Sequence, residues 1–382
     1  MNFKFKLFFF VQYLSVGIMG PYFALYLYQE DFSGIQVGFL LGSMPIAALL
    51  LQPLGGYLSD VLHSRRSILI ISCLSMCISI IGIGLSNTFN LVFGFSILWA
   101  ISNVTIHPII NAMILDHLEK NGDRSGYGPL RSWGSLSFAI SSLIFGSLLL
   151  QYLGTYFTVI LGVLYFILAI ICLWLPKDEK PLDVDNHLGS AKFLPGREKY
   201  FSFIFGSVFV GASLGIAMNY MSVFLQSLGA QPWIIGFNSS LQALFEVPLM
   251  LMTPFLLRKF SENKLILFGA LALPIRWILY TFIQNPVWVL PTQILHSVAI
   301  VSFMVVGVSF IDKNIEKEWR ASGQALYSAA MGGIGSGLGL LLAGMTYEWL
   351  GIRSVWWLNI GFGIIGFILI QKSLRQYAQA DS

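Results

Sequence analysis

Charge is scarce in this chain of 382 residues, of which only 10% are Asp, Glu, Lys or Arg and 56% are hydrophobic. A soluble domain needs far more charge on its outside, so a water-soluble fold is excluded. Cysteine is nearly absent as well, with Cys73, Cys77 and Cys172 as the full set of three. Cys73 and Cys77 share a helix face at i, i+4 spacing. No His or further Cys stands close by to complete a metal site, so they read as small buried apolar residues. There is no G-x-x-x-x-G-K-[ST] phosphate loop and no polar segment large enough to hold a nucleotide. A primary pump is therefore set aside, and the expectation is a protein that is not an enzyme and has no cofactor.

What the chain has is apolar length, with a mean hydropathy of +0.75. Twelve stretches of about 20 apolar residues, each long enough for the ~30 Å hydrocarbon core, span roughly 5–28, 34–58, 67–86, 90–114, 129–151, 155–175, 201–226, 232–256, 265–284, 287–311, 322–347 and 353–371. The start, Met-Asn-Phe-Lys-Phe-Lys, has the charge of a signal peptide. The apolar run behind it is too long for an h-region and lacks a small-residue cleavage site, so it reads as the first span. The expected fold class is an all-α membrane protein of twelve transmembrane helices.

Nineteen of the 22 Lys and Arg residues lie in the tails and alternate loops that share one side of the membrane. By the positive-inside rule that side, with both termini, is cytoplasmic. The basic balance therefore reports topology, and no nucleic-acid partner is read from it. Of the remaining three, Arg353 lies in a loop on the other side, while Arg131 and Arg276 stand inside apolar spans. A charge at bilayer depth costs at least ~2.5–3.5 kcal/mol and marks a candidate functional site.

The longest polar segment, rich in Asp, Lys, Pro and Gly, divides the spans six and six. The expected organisation is an N-terminal half (1–175), a central cytoplasmic linker (176–200) and a C-terminal half (201–382). An offset of about 196–198 residues pairs Val37-Gly38-Phe39 with Ile235-Gly236-Phe237 and Leu115-Asp116 with Ile311-Asp312. It also sets Tyr152-Leu153-Gly154 against Trp349-Leu350-Gly351, which supports duplication. The glycine run Gly332–Gly339 places Gly333/Gly337 and Gly335/Gly339 at four-residue spacing, a pattern for close helix packing with a flexible point.

Pro53-Leu54-Gly55-Gly56-Tyr57-Leu58-Ser59-Asp60-Val61-Leu62-His63-Ser64-Arg65-Arg66 joins the second and third spans. It resembles the loop motif of the major facilitator superfamily, in which an Asp and following basic residues lock the two halves in one state. Asp60, Arg65 and Arg66 would form that cytoplasmic gate, although Val61 and His63 depart from the usual Arg and Gly. A capped loop with ordinary cytoplasmic charges is the other reading.

The resemblance narrows to the lactose permease group and its phenylpropionate and nucleoside relatives, and covers nearly the whole chain. It is carried also by Ile18-Met19-Gly20-Pro21-Tyr22-Phe23 and by Tyr127-Gly128-Pro129-Leu130-Arg131-Ser132-Trp133-Gly134-Ser135. It implies two pseudo-symmetric six-helix halves with a solute site near the midplane between them. It also implies that Arg131 grips the solute, with Phe138 two turns on against a ring. Trp133 and His107 join the expected solute-binding set. For Arg131 a snorkelling side chain stays open, since Arg124 is only about 10 Å away along a helix. For His107, before Pro108, a buried His at a kink stays equally open.

In the second half, Glu246 lies twelve residues before Arg258 and Arg276 twelve after Lys264, so both sit about 18 Å from one membrane edge. Equal depth on antiparallel helices permits a buried ion pair. His296 follows Arg276 by twenty residues, a separation like that in the permease's proton-coupling cluster. The permease's proton-carrying acid falls on Ala299 and its sugar-binding acid on Ala243, so galactoside recognition is not inherited. Glu246 becomes the expected proton carrier, with Arg276 opposing its protonation and His296 relaying protons or touching solute. A static ion pair is the competing reading. Asp116 and Asp312, at equivalent ends of the fourth and tenth spans, read as gate or capping residues.

The expected function is secondary active transport by alternating access, with uptake of a sugar, nucleoside or aromatic acid alongside protons. A proton-coupled efflux antiporter and a non-transporting receptor or scaffold are the alternatives from other classes. The expected partners are a small-molecule solute, the proton and the lipid bilayer. The expected setting is a monomer in the cell (inner) membrane.

Overall fold

The computed structural model describes residues 2–61, 64–120, 127–176, 197–315 and 320–380. Every regular element among the described residues is helical. Among the described residues, twelve helical segments are long and apolar enough to cross a membrane. Helix is the outcome that such stretches dictate, because a backbone in lipid must satisfy its own hydrogen bonds.

Helices α1 (Asn2–Gln29), α2 (Gly34–Val61), α3 (Arg65–Leu85) and α4 (Phe89–Lys120) form the first four spans. The fifth is α5 (Tyr127–Ile144) extended by a π-helical turn, Phe145–Leu149, and the sixth is α6 (Leu153–Trp174). Helices α7 (Arg197–Ser227), α8 (Pro232–Lys259) and α9 (Glu262–Phe282) follow. The tenth span is α10 (Gln293–Val301) and α11 (Val308–Asn314), joined by a π-helical stretch at Ser302–Gly307. The eleventh is α12 (Arg320–Ser328) and α13 (Ser336–Leu350), joined through Ala329–Gly335, and α14 (Ile352–Ala380) closes the chain.

Contacts divide the chain into two compact units, one of residues 1–32 and 46–188, the other of residues 33–45 and 189–382. Each has the same internal pairing of spans. In the first, α1 packs on α5 and α6, and α3 on α4 and α6. In the second, α7 packs on α13 and α14, and α9 on α10 and α14. The correspondence reaches single atoms. A Cβ on Gly17 would lie 2.2 Å from Ser141 Oγ, and one on Gly215 would lie 2.3 Å from Ser336 Oγ. In each unit the first helix needs a glycine where it crosses the fifth.

The eleventh span uses its glycines on two faces. A Cβ on Gly335 would meet Val208 O at 2.3 Å and one on Gly339 would meet the Cα of Ala212 at 2.7 Å, both on α7. On the other face, Cβ atoms on Gly38 and Gly42 would lie 2.7 Å from the Cα of Gly344 and 2.6 Å from Gly337 O. Residues 33–45 thus pack within the second unit although α2 continues into the first. The Gly34 amide at the start of α2 donates to the Glu348 carboxylate. Small residues bring backbones this close, and packing of that kind supplies helix association where lipid removes the hydrophobic drive.

Candidate functional site

Two polar clusters form inside the spans, one in each unit. The first gathers on α1, α4 and α5. Arg131 donates from Nη2 to Tyr13 Oη at 2.5 Å, and its guanidinium carbon lies 4.0 Å from the centre of the same ring. Phe9 adds a second aromatic face at 5.7 Å. Stacked and hydrogen-bonded at once, Arg131 is held as a delocalised planar cation favours and an ammonium does not. Its Nη1 is buried without a hydrogen-bond partner among the described residues. Gly134 makes the room, since a Cβ there would lie 2.7 Å from Tyr13 Cδ2 and 2.8 Å from Arg131 Nη1.

His107 joins the cluster through Tyr13, whose ring centre is 5.9 Å away, and through Gln12, whose amide is 3.4 Å from His107 Nε2. Phe138 is half-buried two turns along α5, where its backbone sits against Gly17. Trp133 goes elsewhere. It lies against Phe10 and under the Lys6 ammonium, 5.7 Å from the ring, and is 41% exposed. Two residues along a helix is about 200° around its axis, so Arg131 and Trp133 cannot face one solute together. The expectation that Trp133 joins Arg131 in binding solute is therefore not met by this geometry.

The second cluster joins α8, α9 and α10. Arg276 is 1% exposed and spends each part of its fork on a different acceptor. Nε donates to Tyr280 Oη at 2.9 Å, Nη1 to His296 Nδ1 at 2.7 Å and Nη2 to Gln293 Oε1 at 2.8 Å. Trp277 and Tyr280 cover it, with ring centres 4.7 and 5.3 Å from the guanidinium carbon. Gln293 passes its own amide on to Asn238 Oδ1 at 2.5 Å, and Tyr280 Oη meets Thr292 Oγ1 at 2.9 Å.

The direct Glu246–Arg276 ion pair expected from equal depth does not form. His296 stands between them, with Nε2 3.4 Å from Glu246 Oε1. Helix α10 packs on both α8 and α9 and inserts its imidazole between the two side chains. Glu246 retains 24% exposure of its side chain while His296 retains 1%. Gln242, one turn earlier on α8, is in direct contact with the same Nε2. Among the described residues no other carboxylate pairs with this cluster.

At the polar ends of the spans, Arg65 Nη1 donates to Asp116 Oδ2 at 2.5 Å, and Arg320 lies 3.6 Å from Asp312. The two equivalent aspartates therefore both serve ion pairs within their units. Arg66 is half-buried, and the Asp60 side chain lies outside the described residues. No group of three or more His, Cys, Asp or Glu side chains is placed to hold a metal ion among the described residues.

Sequence reasoning missed Gln12, Tyr13, Asn238, Gln242, Tyr280, Thr292 and Gln293. The available signal was polar side chains at i, i+3 or i, i+4 from a charged neighbour in an apolar span: Gln242 with Glu246, Gln293 with His296, Tyr280 with Arg276.

Twelve membrane-length helices among the described residues, in two similarly packed units that each hold an arginine cluster within the spans, define a polytopic membrane carrier. The chain belongs to the MFS_1 like family, whose model matches residues 2–358, and it is a transporter of the major facilitator type rather than an enzyme. It is 28% identical over 373 residues to the uncharacterized transporter YwbF of Bacillus subtilis (strain 168), covering 95% of this chain and 90% of that one. It is 24% identical to a maltose permease of Geobacillus stearothermophilus, with 96% and 93% covered. Among solved structures, the nucleoside transporter NupG superposes with a TM-score of 0.84 at 21% identity, over 98% of this chain and 98% of that one. That likeness shows the shared fold.

Proposed function

We propose that this transporter imports a small organic solute (a sugar, nucleoside or aromatic acid) together with protons, and that Glu246 carries the proton. The observation that supports this is a half-buried carboxylate inside a span, set against an imidazole that a buried arginine holds from its far side. The imidazole connects that carboxylate to the buried guanidinium through two contacts, so a change of charge at Glu246 reaches Arg276 through one ring. Arg131, with its unpartnered Nη1 and its aromatic setting, grips the solute, with Phe138 and His107 beside it. Trp133 has no part in that grip. Arg65, Arg66 and Asp60 belong to a cytoplasmic gate. The halves 1–175 and 201–382, joined by the linker 176–200, alternate between states that open the solute site to either side. The setting is the cell membrane, with both termini cytoplasmic and one chain sufficient for transport.

The test is uptake by proteoliposomes under an inward proton gradient, with radiolabelled maltose, uridine and 3-phenylpropionate as probes. Uphill accumulation of a probe, abolished by a proton uncoupler, is the expected result. Glu246→Gln is expected to lose accumulation while keeping exchange of solute for solute. Gradient-driven extrusion would favour an antiporter, and accumulation undiminished in Glu246→Gln would remove Glu246 from coupling.

A further inference from the structure

The direction of each hydrogen bond in the second cluster follows from Arg276, because a guanidinium has five donors and no acceptor. Its Nη1 sits 2.7 Å from His296 Nδ1, so that nitrogen accepts and carries no proton. Nδ1 cannot take one without expelling a guanidinium whose other nitrogens are tied to Tyr280 and Gln293. His296 is therefore a neutral imidazole with its single proton on Nε2. That proton faces the Glu246 carboxylate at 3.4 Å and, in direct contact, the Gln242 side-chain amide, whose nitrogen is the atom placed against the ring. Two N–H donors cannot pair, so a proton on Nε2 requires the Gln242 amide to be turned end for end, with its oxygen in the place of its nitrogen. Arg276 from α9 and Glu246 from α8 are the charged groups set against this imidazole among the described residues.

We propose that Gln242 and Glu246 are alternative acceptors for one locked imidazole proton, so that Gln242 is a positioning residue that responds to the protonation of Glu246. The inference rests on Glu246 being the proton carrier. An ionised carboxylate takes the N–H in preference to an amide, because a charge-assisted hydrogen bond is roughly twice as strong as a neutral one. A protonated Glu246 loses that advantage and the N–H goes to Gln242. Protonation at Glu246 thereby becomes a change in the Gln242 amide, one helical turn nearer Pro232. His296 passes on a hydrogen bond, and no proton is transferred to or from it. Ser297 Oγ, 3.4 Å from the Gln242 carbonyl, holds the α8 backbone beside α10 while the side chain changes partner.

The experiment is nitrogen NMR of the full chain in nanodiscs, with labelled histidine and glutamine side chains, between about pH 5 and 8. His296 is expected to keep a bare Nδ1 and a protonated Nε2 throughout. The Gln242 amide, which has no titration of its own, is expected to shift with pH. That shift is lost in Glu246→Gln, and lost in His296→Leu if the imidazole is the link. An imidazolium at His296 anywhere in this range overturns the proposal, and the wild-type spectrum alone decides that. An undiminished Gln242 shift in His296→Leu overturns it as well. Failure of the transport reading is separate, since it shows as uphill uptake surviving in Glu246→Gln.

Discussion

Replacing Arg276 by Lys keeps the charge and removes the fork. In the structure three nitrogens reach three acceptors in different directions, at 2.9, 2.7 and 2.8 Å. A lysine ammonium has one nitrogen and so keeps one of these bonds with good geometry. Tyr280 Oη retains Thr292, but His296 Nδ1 and Gln293 Oε1 have no second partner among the described residues. Hydrogen bonds between side chains in membrane helices average ~0.6 kcal/mol and reach ~1.7 kcal/mol, so two lost bonds cost about 1–3 kcal/mol. The loss of planar stacking on Trp277 and Tyr280 acts in the same direction. Reversible unfolding in mixed micelles, followed by tryptophan fluorescence, reads this difference directly. An Arg276→Lys protein within ~0.5 kcal/mol of wild type would be the ordinary result of a surface substitution and would refute the argument that the fork organises the cluster.

Other perturbations test other contacts. Gly134→Ala puts a methyl group 2.7 Å from Tyr13 and 2.8 Å from Arg131 Nη1, so solute uptake is expected to fall at least ~tenfold, about 1.4 kcal/mol, with normal membrane expression on immunoblots. Trp133→Ala leaves that site untouched and is expected to change the KM for solute less than ~twofold in the same uptake assay, within ordinary surface effects. Gly211→Ala drives a Cβ to 2.1 Å from Met331 O, against backbone that cannot swing aside, and overpacking of this sort costs about 1–3 kcal/mol in micelle unfolding. Asp116→Asn removes one partner of Arg65, at a 57% exposed side chain, so the stability change is expected under ~1 kcal/mol in the same unfolding assay.

Apolar length and the placement of Lys and Arg made the spans legible, because a bilayer allows few solutions for so little charge. All twelve spans lie within several residues of the expected ones. The boundaries of α10 to α13 were less legible. Their π-helical interruptions arise where spans press on their neighbours, as at Gly335 against Val208, and a hydropathy pattern does not record that contact. In the candidate site, sequence picked out Arg131, Glu246, Arg276 and His296 because charged or titratable side chains are rare at bilayer depth. It could not identify Tyr13 as the partner of Arg131, since 118 residues separate them and tyrosine is common in this chain.

By itself, then, the sequence determined an all-helical, duplicated membrane carrier with one arginine inside a span of each half. Solvent dictates that much, since the cost of charge and of unpaired backbone in lipid is local and can be read along the chain. Which side chains those arginines hold was decided by tertiary structure alone. Residue counting sets Glu246 and Arg276 at matching depth on neighbouring helices, and they do not pair directly, because α10 brings His296 between them. Depth is a one-dimensional property fixed by residue number, whereas contact depends on the rotation and approach of three packed helices.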